Sequence, residues 1–77
     1  MSTKAQHTSP QPPRLERLPA VVARTGLSRA TIYRLIAART FVQPVRLTGR
    51  NIAFVASEVD AWITARAAER DAGASRA

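Results

Sequence analysis

The chain has 77 residues, no cysteine, a single histidine and a formal net charge of +7. That length sets a ceiling of one small domain, and a proline-rich start leaves about 50 residues for a core, too few to enclose a cavity for small-molecule chemistry. A disulfide framework and thiolate metal sites are excluded, His7 has no co-ligands, and no cofactor is expected. No secretory apolar run opens the sequence, and no stretch approaches the ~20 apolar residues of a membrane helix, so the expected location is the cytoplasm, with no membrane partner.

Placement of charge says more than its total. From Arg17 through Ser57 the cations are Arg17, Arg24, Arg29, Arg34, Arg39, Arg46 and Arg50, and no Asp or Glu intervenes. The acids Glu58, Asp60, Glu69 and Asp71 follow, interleaved with Arg66 and Arg70. One end of the fold should therefore be electropositive and the other roughly neutral. Every cation but Lys4 is arginine. Arginine's planar fork suits bidentate contacts to phosphate or guanine, whereas lysine solubilises equally well, so the choice of residue points to nucleic acid. A solvated basic surface is the plainer alternative, because net charge by itself reports on non-specific binding rather than on fold.

Residues 1 to 14, "MSTKAQHTSPQPPR", have prolines and small polar residues without apolar periodicity, which predicts a disordered arm carrying Lys4 and His7. Pro19 opens a first helix near 19 to 25, with Leu18 and Val22 one turn apart. Gly26 stands where a helix end favours a left-handed residue, and Ser28 where the next helix favours an N-cap. In the second helix Ile32, Leu35 and Ile36 form one apolar stripe, joined by Leu27 from the turn. Arg34 and Ala30 then lie opposite the stripe, Tyr33 on a flank and Arg29 at the exposed first turn.

After Arg39 the period changes. Val45-Arg46-Leu47 and Ile52-Ala53-Phe54 alternate around Thr48-Gly49-Arg50-Asn51, which predicts a small hairpin, with Pro44 suiting an edge strand. Ser57 with Asp60 resembles a capping box, and Val59, Trp62, Ile63 and Arg66 share one face of a third helix. Trp62 belongs to the core rather than to a base-stacking surface. "DAGASRA" has no apolar anchor, so 71 to 77 should be a flexible tail and 15 to 70 the folded unit.

Helix, tight glycine turn, helix, hairpin, helix is a winged helix-turn-helix, mainly α with a small β-hairpin, whose second helix normally enters the major groove. The stretch "LPAVVARTGLSRATIYRLIAARTFVQPVRLTGRNIAFVASEVDAWI", residues 18 to 63, resembles the AlpA-like prophage regulators and excisionase-type proteins, distant relatives of the MerR-type DNA-binding domain. The matching pieces are "TGLSRATIYRLI", the "F…PVRL" segment with its wing turn, and "SEVDAWI". Departures are Phe41-Val42 where members usually have Phe-Pro, and Phe54-Val55 where they commonly have Trp-Arg. The second removes an arginine; if that arginine contacts the DNA backbone in relatives, this chain has one phosphate contact fewer or replaces it with Arg46 or Arg50. What the resemblance implies is a small bacterial phage or mobile-element protein that binds double-stranded DNA as a transcriptional regulator, an excisionase, or both, with an integrase or recombinase as a further partner.

Roles for individual residues follow. Ser28 caps the second helix, with a phosphate contact as its other use. Arg29 and Arg34 are the first candidates for DNA contact, Arg34 for a base edge. Ala30 and Thr31 are placed to touch a thymine methyl. Tyr33 either packs on the flank or donates to a phosphate. Arg50 and Asn51 would reach the minor groove or flanking backbone from the wing, with turn chemistry the alternative for Asn51. Arg24 and Arg39, at helix ends, either bind phosphates or complement helix dipoles.

One short helix reads few base pairs, so several copies on repeated half-sites are expected. With no heptad and no long third helix, self-association on DNA is expected in place of a stable free dimer. An enzyme is not expected: the basic region has no paired carboxylates and the chain has no nucleophile and base arrangement. RNA binding would need exposed aromatics, and only Tyr33 qualifies. The remaining alternative is an adaptor whose third helix and Trp62 dock on a recombinase, with DNA binding secondary.

Overall fold

A computed structural model describes residues 13–76. The arm expected at 1 to 14 lies outside the described residues up to position 12, and His7 with it. In chain order the elements are β1 (Leu15–Glu16), α1 (Leu18–Thr25), α2 (Arg29–Ala37), β2 (Val45–Thr48), β3 (Asn51–Val55) and α3 (Ala56–Arg76). The strands form one antiparallel sheet in the order β1-β3-β2. This is the expected winged helix-turn-helix, mainly α, with one strand more than the sequence suggests.

Backbone chemistry fixes the angle between α1 and α2. Gly26 adopts φ 76°, and its N–H closes α1 onto the Val22 carbonyl at 2.8 Å. A side chain in this left-handed region meets a steric penalty that glycine avoids. The Thr25 hydroxyl donates to the Val21 carbonyl at 2.8 Å and accepts from the Leu27 N–H at 3.2 Å, stitching the turn. Ser28 then caps α2, its hydroxyl accepting from the Thr31 N–H at 3.1 Å.

Helix α2 ends in a Schellman arrangement. The N–H of Arg39 bonds to the Ile36 carbonyl and that of Thr40 to the Leu35 carbonyl, each at 3.0 Å. Arg39 takes the left-handed position with φ 62°, the residue where glycine is commonest. The reversal turns Phe41 back into the core.

The wing pairs Val45 with Ala53, Arg46 with Ile52 and Thr48 with Asn51, with an irregularity between Arg46 and Thr48. Gly49, at φ 53°, supplies the left-handed residue of its turn. Pro44 precedes β2, which is an edge of the sheet as expected. Strand β1 covers the other edge of β3, with Leu15 opposite Val55 and Glu16 opposite Phe54.

The core lies where α1, α2, β3 and α3 meet. Val21, Ile32, Phe54 and Val59 are fully buried, and Leu18 and Phe41 nearly so. On α1 it is Val21 that is sealed, while Val22 is partly buried beside Leu27, Leu35 and Ile36. Phe41 packs edge-on against both Phe54 and Trp62, at centroid separations of 6.0 and 4.8 Å. Trp62 is half-buried, and its indole N–H donates to the Thr40 carbonyl at 2.9 Å, so the ring ties α3 to the end of α2. The indole donor thus has a protein partner while the ring packs on Phe41.

Helix α3 corrects two expectations. It starts at Ala56, whose N–H donates to the Arg14 carbonyl at 2.8 Å, so Ser57 lies inside the helix rather than at its N-cap, and the Asp60 carboxylate accepts from Arg24 in place of closing a capping box. It also runs 21 residues, through the backbone of 71–76 where a tail was expected, and is therefore a long third helix. Alanine has the best helix propensity, and its density from Ala61 to Ala74 outweighs the roughly 1 kcal/mol cost of Gly73. The added length carries no apolar seam: from Thr64 to Gly73 every residue is exposed except the half-buried Ala67.

Candidate nucleic-acid interface

Residues four apart on a helix share a face, and α2 uses this rule twice. Arg29 and Tyr33 form one exposed row, and Ala30 and Arg34 the next. Ile32 is buried, while Leu35 and Ile36 pack against the core. The polar residues of α2 are thus turned outward because its apolar ones are claimed inward. Thr31, half-buried on the opposite flank, accepts from the Ser28 hydroxyl at 2.9 Å. Ser28 is therefore engaged in capping through both its donor and its acceptor.

The Arg29 and Tyr33 row faces a groove. Its walls are Arg17 and Pro19 at the start of α1, Arg29 and Tyr33 of α2, and Arg50 of the wing turn, over an apolar floor of Leu18 and Ile52. The groove holds about 340 Å³, and among the described residues no acid lines it. Tyr33 is 47% exposed, so its ring is a wall of the groove rather than a core residue.

Arg34 is exposed on α2 and is not among the residues that line this groove, and Arg46 is exposed on β2 opposite Ile52. Arg39 is exposed at the far end of α2. Asn51 begins β3, and its amide is used at the wing base: Nδ2 donates to the Thr48 hydroxyl and Oδ1 accepts from Arg17 Nη2, both at 3.4 Å. It orients its neighbours as much as it faces solvent.

Arg24 is employed elsewhere. Its guanidinium donates to Asp60 at 2.6 Å, to Glu16 at 3.2 Å and to the Ala56 carbonyl at 3.3 Å, binding α1 to β1 and to the start of α3. The Asp60 hydrogen bond leads in raising its pKa above the ordinary arginine value, against an opposing desolvation and with Glu16 adding attraction. An arginine so paired is a poor phosphate ligand. It stays in the last turn of α1, where its charge complements the helix dipole as expected.

Arg17 is the residue that sequence reading passes over. It belongs to the basic run without an assigned site, because its place beside Arg29 and Arg50 depends on β1 and the wing closing over the start of α1. No sequence signal marks Arg24 as the paired one: Glu16 adjoins Arg17 in the chain and reaches Arg24 only in the fold. Among the described residues no group of His, Cys, Asp or Glu is arranged to hold a metal, and no helix is long and apolar enough to cross a membrane.

Comparison with known proteins agrees with this geometry. Residues 14–67 match the family model described as prophage CP4-57 regulatory protein (AlpA). Over 60 residues the chain is 47% identical to an uncharacterised protein, ORF88, of Enterobacteria phage P4, covering 78% of this chain and 68% of the relative. It is 34% identical over 59 residues to the DNA-binding transcriptional activator AlpA of Escherichia coli (strain K12), covering 69% of this chain and 84% of the relative. No solved structure gives a significant match. The matched span contains the helix-turn-helix, the wing and the first half of α3, and on that basis the chain belongs to the AlpA family of prophage regulatory proteins.

Proposed function

We propose that the protein binds double-stranded DNA sequence-specifically, with α2 in the major groove and the hairpin wing on the flanking minor groove or backbone. It does so as a transcriptional regulator or an excisionase of a phage or mobile element, in the bacterial cytoplasm. The observation that carries this reading is the outward face of α2: Arg29 and Tyr33 line a groove with Arg50 of the wing turn that no acid lines, and Arg34 and Arg46 are exposed as well. The relative from Escherichia coli, named as a DNA-binding transcriptional activator, supports the same direction.

Mechanism in such a protein is binding energy rather than bond chemistry. Arginine contacts to phosphate release counterions, so with about five contacts log K falls against log salt with a slope of about −4 to −5. Arg34 supplies base discrimination, with exposed Ala30 available to a thymine methyl group, whereas Thr31, half-buried and bonded to Ser28, is turned to the other flank. Because α2 is only nine residues long, useful specificity comes from several copies on repeated half-sites. Bending of the bound DNA by such an array would couple binding to a promoter or a recombination complex.

The test is a titration of wild type and Arg34→Ala on the DNA upstream of the protein's own gene, beside a scrambled duplex, at two salt concentrations. The expected result is stepwise, salt-sensitive binding that prefers the upstream duplex, with the preference lost in the variant. Equal weak binding of both proteins to both duplexes would reject specific readout. A recombinase adaptor is the second reading, favoured by the exposed distal length of α3. Trp62 offers it little, since the indole is already committed to Phe41 and Thr40.

A further inference from the structure

Three arginines, at the start of α1, on α2 and at the wing turn, line one groove without an acid among the residues that line it. Elsewhere among the described residues arginines near carboxylates pair with them, as Arg24, Arg66 and Arg70 do. The groove arginines have no carboxylate beside them in that lining, which leaves a site complementary to an anion. Its walls carry further support. The floor of Leu18 and Ile52 is apolar, and apolar walls focus the field of charges beside them. Tyr33 adds a hydroxyl donor at the edge.

Arg17 makes the case specific. It occupies the N-cap of α1, where Ser, Thr, Asp or Asn would accept a backbone hydrogen bond, and it forms no side-chain cap. A cation there also opposes the positive end of the helix dipole. Helix stability therefore disfavours arginine at this position. Among the described residues its only side-chain bond is a long one, 3.4 Å to Asn51, which turns the guanidinium toward the wing and leaves most of its five N–H donors for a ligand.

We infer that the groove formed by Arg17, Arg29, Tyr33 and Arg50 receives the phosphodiester backbone of one DNA strand as it passes from α2 to the wing, with Arg17 as a third anchor besides helix and wing. The inference rests on the DNA-binding reading above and adds to it the start of α1 as part of the interface.

Arg17→Ser is the informative variant, because serine at an N-cap favours the helix and so removes unfolding as an explanation. The expected outcome is a melting temperature at or above that of wild type, a salt slope shallower by about 0.9, and affinity reduced equally on the upstream and scrambled duplexes. Arg17→Lys should keep the wild-type slope. A slope unchanged in Arg17→Ser overturns the inference and leaves Arg17 a solvated side chain. If wild type binds no duplex, the DNA-binding reading fails, and inorganic phosphate titrated into the free protein decides the groove separately. Saturable shifts of the Arg50 and Tyr33 amide resonances, absent in Arg17→Ser, would keep it as a phosphate site, and their absence in wild type would remove it.

Discussion

Arg17 and Arg24 stand at opposite ends of the same eight-residue helix and are used in opposite ways. Arg24 meets Glu16, Asp60 and the Ala56 carbonyl, and it holds three elements together. Arg17 lines an open groove together with two other arginines. Neither residue type nor the element differs, so the contrast comes from where the acids fall. Glu16 and Asp60 flank the basic stretch in sequence and fold back against one end of α1, leaving the other end without a counter-charge. A net charge of +7 therefore overstates nothing and explains little; what matters is which arginines the protein has already neutralised for itself.

The sharpest way to break this comparison is to remove one arginine of each kind. Arg34→Ala should cost ten- to a hundredfold in preference for the matched duplex, equivalent to about 1 to 3 kcal/mol, with no change in melting temperature. Arg24→Ala should do the reverse, lowering the melting temperature by a few degrees and leaving the salt slope of DNA binding intact. The raised pKa of Arg24 gives the sign of its pH dependence: the stabilisation is present below the ordinary arginine pKa and is lost only as pH climbs through the still higher folded value. From the arginine's side the clamp is thus constant across the working pH range. A loss of DNA affinity in Arg24→Ala, measured with the fold intact by circular dichroism, would erase the distinction between the two arginines.

A smaller effect separates the two helix starts. Ser28 caps α2 through the Thr31 N–H, whereas α1 has no side-chain cap. Ser28→Ala should destabilise by about 1 kcal/mol in chemical denaturation. The matching gain in Arg17→Ser would show that α1 has a cap position available and that arginine occupies it at the expense of stability.

Much of this architecture is legible in the sequence because each signal is local. Gly26, Ser28, the Ile32, Leu35 and Ile36 stripe and the Thr48 to Asn51 turn each act within a few residues, and each appears as expected. The failures share a different cause. Strand β1 is two residues long and exists only because β3 offers it an edge, so no periodicity announces it. The extent of α3 escapes the same reasoning because "DAGASRA" lacks an apolar anchor, yet an alanine-rich helix that has already nucleated on Val59 and Ile63 needs no anchor to propagate. Arg17 and Arg24 are indistinguishable in sequence, since both are arginines at helix ends. Only the tertiary placement of Glu16, Asp60 and Arg50 separates them.

Arg39 extends the contrast to the end of α2. The Schellman geometry puts it at φ 62°, where a residue with a Cβ costs about 1 to 2 kcal/mol more than glycine. Its charge near the helix C-terminus returns about 0.3 to 1 kcal/mol of that. The balance is unfavourable for folding, so Arg39→Gly should stabilise by about 1 kcal/mol, a rise of several degrees in melting temperature for a domain of this size. If its guanidinium also grips a phosphate, in keeping with its exposure at the end of the helix proposed to read DNA, the same variant should bind DNA with a slope shallower by about 0.9. Arg39→Asn should show the loss in slope with less of the gain in stability, because asparagine tolerates the left-handed region without matching glycine there. Stability that rises while binding stays unchanged would make Arg39 a solvated residue with a strained backbone. Stability that falls would mean the charge at the helix end outweighs the strain, and the parallel with Arg17 would not hold.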